Sequence, residues 1–288
     1  MTVGPRIGVL YSRLRVEEKW ILAALERRGV EYERLDDRQV QFDLQDPGPW
    51  RRFDAVLERC LGYTNGLHAL QVLEGWGIPT VNPASVAEIC GDKLATTAAL
   101  TRAGVPQPRT AVAFARDSAL EAIESLGYPV VLKPVVGSWG RLVAKINDRD
   151  AAEGILEHKA ILGSVPHSVF YLQEFIEKPG RDIRAFVIGS ELVAAIYRKS
   201  PHWITNTARG AEGELCPLTP ELADLCRRAS EAVGGGVLSV DVLEDPQRGY
   251  LVNEINHGTE FHTTQPLTGI DLADLIVGYV LGVAQKVA

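Results

Sequence analysis

The sequence predicts an α/β protein made of three successive units, and three observations carry that reading. Strand and helix patterns alternate through residues 6–83, which argues for a parallel sheet with helices on its faces. Hairpin patterns recur further on, which argues for mixed α+β units after the first. The chain has 288 residues, 46% hydrophobic and 23% charged, enough to bury most of its apolar surface without disulfide staples. A disordered tail protein and a small disulfide scaffold are thereby excluded.

In the first unit, residues 6–12 (RIGVLYS) read as a buried strand. Residues 16–28 carry a helical stripe of Trp20, Ile21, Ala24 and Leu25, closed by Gly29. A strand at 54–61, a helix at 66–76 and a short strand at 78–82 follow, ending at Pro83. The second unit opens with a helix over 85–103, capped by Ser85 and stopped by Gly104, and the tract VPQP then breaks the chain. Next come a strand (110–114), a helix (118–126), a strand (129–134), a glycine loop (137–141) and a strand (142–147). A helix (150–161) and a strand (169–176) complete it. The third unit opens with a hairpin turning at Gly189-Ser190, and a polar loop, WITNTARGAEGE, follows. A helix (220–233), a hairpin (237–243 and 250–256) and a closing helix (272–285) end the chain. The expected divisions are 1–84, 85–179 and 180–288.

The formal charge is −7, from 30 Lys+Arg against 37 Asp+Glu, which disfavours a nucleic-acid binder. Only 8 of those cations are lysines. The charge is uneven: residues 93–214 hold 15 cations against 13 anions, and both flanks are acidic. Cys60, Cys90, Cys216 and Cys226 have neither redox nor zinc spacing and read as reduced thiols of a cytoplasmic protein. No signal peptide pattern or membrane span is expected.

Five features could carry chemistry. A hairpin turn centred between Gln247 and Arg248 sets Asp241 opposite Glu254, with Asn256 on the same face. Two adjacent carboxylates repel unless a cation sits between them, and these oxygen donors suit Mg²⁺. A solvated acidic face is the alternative, but the flanking residues are apolar. The run VVLKPVVGSWGR delivers Lys133 from a strand into a loop with Gly137, Ser138 and Gly140, a phosphate-cradle pattern that a plain hairpin turn would also show. Lys93 in CGDK reads, taken alone, as a surface lysine on a helix. Glu174, near the end of an apolar strand, marks an edge whose backbone could bond a planar base. Arg184, Arg198, Lys199, Asn206 and Arg209 form a set that needs anions nearby.

Together these pieces resemble the ATP-grasp ligases, which join a carboxylate to an amine through an acyl-phosphate made from ATP. The stretches ERC (58–60), CGDK (90–93), PVVLKPVVGSWGRL (129–142), GRDIRAFVIG (180–189), HWITNTARGA (202–211) and VNEINHGTEF (252–261) carry the resemblance, in order, across essentially the whole chain. The sequence is most similar to the lysine-biosynthesis branch, which attaches 2-aminoadipate to a small acidic carrier protein. It is more distantly similar to the ribosomal-protein glutamate ligases.

The resemblance implies a parallel-sheet pre-ATP-grasp domain followed by central and C-terminal ATP-grasp lobes. It implies that Lys93 and Lys133 hold the ATP phosphates and that Gly137, Ser138, Trp139, Gly140 and Arg141 close over them. Gln173, Glu174, Phe175 and Ile176 would form the adenine edge and Asp182 would contact ribose, with Arg198 also at the nucleotide. Asp241, Glu254 and Asn256 would hold two Mg²⁺ ions. Arg184, Asn206 and Arg209 would surround the acyl-phosphate. Asn206, Thr207, Gly258, Thr259, Glu260 and Phe261 would line the amino-acid site. Ile204 stands where the ribosomal-protein ligases have Arg, which favours the aminoadipate branch. Gly258, Thr259 and His262-Thr263 depart from that branch's own pattern, so glutamate, or a protein or peptide acceptor, stays open. So does a nucleotide-binding regulator outside the enzymes. An acidic carrier would dock on the cationic central stretch, and a homo-oligomer is expected from the family.

Overall fold

The computed structural model describes residues 4–137, 140–162, 168–205 and 210–286. Three sheets organise them. The first is fully parallel, in the order β2-β1-β3-β4. It is formed by β1 (Arg6–Tyr11), β2 (Glu31–Asp36), β3 (Ala55–Arg59) and β4 (Thr80–Val81), with α1 (Val16–Arg27) and α2 (Tyr63–Gly75) between them. The parallel sheet is the one expected. Strand β2 was not, because its sequence EYERLD buries one residue, Leu35, at the sheet edge.

The predicted helix over 85–103 is two helices, α3 (Ala84–Gly91) and α4 (Lys93–Arg102). Asp92 breaks it. Its backbone is extended, and its side chain accepts from the N–H groups of Leu94 and Ala95 at 2.7 and 3.0 Å. That cap satisfies two of the donors that a helix start leaves open, and it moves Lys93 from mid-helix to a helix start. Both helices pack with α7 (Pro220–Val233) in a core that includes Val86, Leu100, Leu222 and Val240.

The central sheet has the order β5-β8-β6-β7 and is antiparallel. Its strands are β5 (Thr110–Ala113), β6 (Val130–Lys133), β7 (Ala144–Ile146) and β8 (Phe170–Glu174), with α5 (Arg116–Leu126) and α6 (Arg149–Leu162) on one face. Alternation decides which residues face which way. Val130, Leu132, Phe170 and Leu172 join the core under the helices. Val131, Lys133 and Gln173 face a cleft.

The third sheet runs β11-β10-β9-β12-β13. Its strands are β9 (Arg181–Ile188), β10 (Glu191–Lys199), β11 (Glu212–Leu215), β12 (Val237–Asp245) and β13 (Gly249–Asn256). The Gly189-Ser190 turn is present, and β11 begins inside what the sequence offered as a polar loop and ends one residue beyond it. After α8 (Thr264–Thr268), helix α9 (Leu272–Gln285) packs on α1 and β3, so its apolar side joins Phe186 and Val237 to the first sheet in one core. All four cysteines are free thiols.

Candidate active site

Two clefts meet on the third sheet. The first, of about 100 Å³, lies between the central and third sheets. The second, of about 260 Å³, lies between the first and third sheets. Gly137 and Glu254 line both, so the two clefts join at that point.

Glu254 reaches the junction through a β-bulge. Asp241 opposes Glu254 as expected, but the turn is centred on Gln247, so Val242 opposes Val252. Asn253 is the extra residue that restores the pairing. Bulges re-aim side chains, and here two successive residues, Asn253 and Glu254, both line the first cleft while Val252 and Ile255 stay in the core. Asn253 Oδ1 accepts from Lys133 Nζ at 2.9 Å, and Gln173 Oε1 accepts from the same nitrogen at 2.6 Å. Burial pushes the Lys133 ammonium down to about 8, although Glu254 and Asp241 oppose the shift. Lys93 Nζ donates to the Gly137 carbonyl at 2.7 Å and pairs with Glu254 at 3.1 Å. It is therefore an inward lysine at the junction, not a surface one.

Gly137, Gly140, Arg141, Gln173, Glu174, Phe175, Ile176 and Asp182 all border the first cleft. The Glu174 carboxylate is engaged elsewhere, by the Arg109 N–H at 2.6 Å and Arg248 at 2.8 Å. Lys178, Trp203, Thr205 and Asn253 line the cleft too, and the sequence had not singled them out. The structure places Arg198 elsewhere. It is 2% exposed, borders the second cleft, and bridges Asp182 (2.7 and 2.9 Å) to Asp241 (3.0 Å). With its Nε and Nη2 committed to buried carboxylates, it holds the third sheet's own charges together.

The second cleft receives Arg184, Asp241, Glu254, Asn256, Gly258, Thr259 and Glu260. Arg184 grips Asp241 at 3.0 and 3.1 Å. Burial alone would raise the Asp241 carboxyl, but Arg184 and Arg198 hold it at about 2. The two metal-type carboxylates are thus already met by cations of the chain, Arg184 and Arg198 at one and Lys93 at the other. Repulsion between them does not by itself demand a metal. The donor set nevertheless suits Mg²⁺: three hard oxygen ligands share one cleft, and Asn256 Nδ2 is buried without a hydrogen-bond partner. Turning that amide over would exchange the unsatisfied donor for an oxygen ligand. Phe261 does not reach the cleft. It is fully buried, packed near Trp20 and the Arg59 guanidinium. Ser138, Trp139, Asn206, Thr207 and Arg209 lie outside the described residues.

The loop 257–262 is fixed by the start of α1. Glu17 accepts from the N–H groups of Phe261 and His262, each at 3.2 Å, and contacts His262 Nδ1 at 2.7 Å. Glu18 binds Arg15 and Arg59, and Arg59 donates to the Thr259 carbonyl at 2.9 Å. Both carboxylates are buried. They look like surface charges in sequence, because Arg59 lies 41 positions from Glu18 and the partners of Glu17 lie 244 and 245 positions away.

A three-sheet architecture with paired lysines, a hairpin of metal-type donors and two joined clefts defines an ATP-grasp carboxylate–amine ligase. The comparisons agree. The LysX preATP-grasp domain family matches residues 7–89 and the RimK-like ATP-grasp domain family matches residues 90–280, so the chain belongs to the LysX/RimK-like ATP-grasp family. It is 34% identical to the alpha-aminoadipate–LysW ligase LysX of Sulfurisphaera tokodaii, over 94% of this chain and 96% of that one. It is 35% identical to the glutamate–LysW ligase ArgX of Sulfolobus acidocaldarius, over 96% and 98%. A crystal structure of a RimK domain ATP-grasp protein from Sphaerobacter thermophilus superposes with a TM-score of 0.80 at 30% identity, covering 96% of this chain and all of that one. Among the described residues no helix is long and apolar enough to cross a membrane.

Proposed function

We propose that the enzyme joins the α-amino group of 2-aminoadipate to the C-terminal glutamate carboxylate of a small acidic carrier protein, through an acyl-phosphate made from MgATP, in the cytoplasm. The junction of the two clefts at Gly137 and Glu254 is the observation that carries this reading. ATP occupies the first cleft, with its phosphates directed to Lys93 and Lys133. The carrier's carboxylate meets the γ-phosphate at the junction, and the amine arrives through the second cleft. Arg184, with Asn206 and Arg209, binds the anionic intermediate, and preorganised donors of this kind supply most of the stabilisation in such sites. Asp241, Glu254 and Asn256 would hold Mg²⁺, which when bound neutralises charge on the transferred phosphoryl group. Closure of residues 137–141 keeps water from the acyl-phosphate.

Glutamate is the second candidate substrate, because the chain is as similar to a glutamate ligase as to an aminoadipate ligase. The test is ADP release with purified carrier and each amino acid in turn. Release that requires both the carrier and 2-aminoadipate is expected. Release independent of the carrier overturns the assignment, and release with glutamate alone moves it to the second reading.

A further inference from the structure

Glu58 stands at the C-terminal end of β3, the edge of a parallel sheet where ligands of α/β folds bind. It lines the second cleft and is 5% exposed. Among the described residues its carboxyl forms no ion pair, and its hydrogen bonds come from Cys60, whose N–H reaches Oε1 at 2.5 Å. The cations nearest to it are already engaged. Arg15 spends all three nitrogens on Glu18 and Glu260, and Arg59 gives Nε to Glu18 and Nη2 to the Thr259 carbonyl. Space has been left for the group: a Cβ on Gly66 of α2 would lie 2.8 Å from Glu58 Oε1. A buried carboxylate without a cation is costly. In a ligand cleft, that cost points to a cation brought by the ligand.

We propose that Glu58 receives the ammonium group of the incoming amino acid and takes its proton before attack. The inference rests on the ligase reading above. The ammonium pairs with Glu58 and transfers one proton to the carboxylate. The freed nitrogen lone pair forms the C–N bond to the acyl-phosphate carbonyl carbon. The C–O bond to phosphate breaks, and phosphate leaves with the electron pair. The second proton on nitrogen leaves with the phosphate, and Glu58 returns its own to solvent.

Burial raises the Glu58 carboxyl above its ordinary value, against the Cys60 hydrogen bonds and the Arg59 and Arg15 charges, which moves it toward useful basicity at neutral pH. The other titratable groups lining this side of the cleft suit the task less. Burial holds His257 down at about 4, and the Tyr63 hydroxyl and Cys60 thiol are both raised.

The experiment compares two nucleophiles in the wild type, Glu58→Gln and Glu58→Asp. Hydroxylamine is a neutral amine near pH 7 and traps an acyl-phosphate without a base. With the amino acid, Glu58→Gln is expected to lose about 10²–10⁴-fold in kcat, the usual range for a proton acceptor. Its residual rate should climb with pH as free amine accumulates, and Glu58→Asp should recover part of the loss. Carrier hydroxamate formed from ATP and hydroxylamine should stay within about twofold of wild type, well under the tenfold that 1.4 kcal/mol would give. Equal loss with both nucleophiles, or loss with neither, overturns the proposal. If wild type itself forms no carrier hydroxamate, the ligase reading fails instead.

Discussion

Replacing Arg198 by Met tests whether this residue serves the nucleotide or the fold. The guanidinium is 2% exposed and binds Asp182 twice and Asp241 once, at 2.7, 2.9 and 3.0 Å. Burial would lower its pKa, yet Asp241 and Asp182 hold it raised. Without it Asp241 keeps Arg184, but among the described residues Asp182 keeps only Lys178 at 3.5 Å and the Thr205 hydroxyl. Removing one partner of a buried pair costs ~3–5 kcal/mol, because the other charge stays buried. At ~1.7 °C per kcal/mol for a chain of this length, Tm should fall by ~5–8 °C. Adding Asp182→Asn to Arg198→Met removes the stranded charge, so the double variant should be less damaged than additivity predicts, by ~1–3 kcal/mol. Thermal and urea unfolding of the four proteins complete the cycle. Arg198→Met within ~0.5 kcal/mol of wild type, with a raised KM for ATP, would refute this reasoning and return Arg198 to the nucleotide.

Asp241, held at about 2 against an ordinary 3.8, stabilises the fold while it is ionised. That contribution is fully present above pH 3.8 and is lost as pH falls through 2. Wild type should therefore lose ~2 kcal/mol more than Asp241→Asn between pH 4 and 2 in urea titrations; parallel curves would count against the ion-pair account. Gly236 has φ +114°, and a Cβ there would lie 2.2 Å from Asn82 Oδ1. Asn82 bonds the N–H and carbonyl of Val237 and the carbonyl of His257, so Gly236→Ala should cost ~2–4 kcal/mol, and an unchanged urea midpoint would contradict it. A Cβ on Gly91 would lie 1.9 Å from Tyr63 Cε2. Gly91→Ala should push that ring from its place beside His257 and raise KM for the amino acid about tenfold, ~1.4 kcal/mol, with KM for ATP unmoved; equal effects on both would place the ring's role elsewhere.

What the sequence could reveal was set by the range of the interactions that decide each feature. Lys133 was legible because a run of apolar residues delivers it from a strand, and the strand's alternation is local. Lys93 looked like a surface lysine because helical periodicity runs through Asp92. The cap that breaks the helix is short-range, but its effect, turning Lys93 toward Glu254, depends on a strand far along the chain. Glu17 and Glu18 were hidden for the same reason, since Glu17 is buried by residues more than 240 positions away. Strand β2 escaped because its polar residues suit an edge and leave little apolar signal.

The pairing of Asp241 with Glu254 is the most instructive case. Counting back from a turn assumes one residue per residue on each strand. The real turn is centred half a residue earlier, and without the bulge Asp241 would face Asn253. The extra residue corrects the register and also brings Asn253 to Lys133. A hairpin without the bulge could present the acid pair or the lysine's amide partner to the cleft, but alternation would send the other to the opposite face. The bulge is thus what allows the metal-type donors and the phosphate-type lysine to occupy one junction, and the correct pairing read from sequence rested on two offsets that cancel.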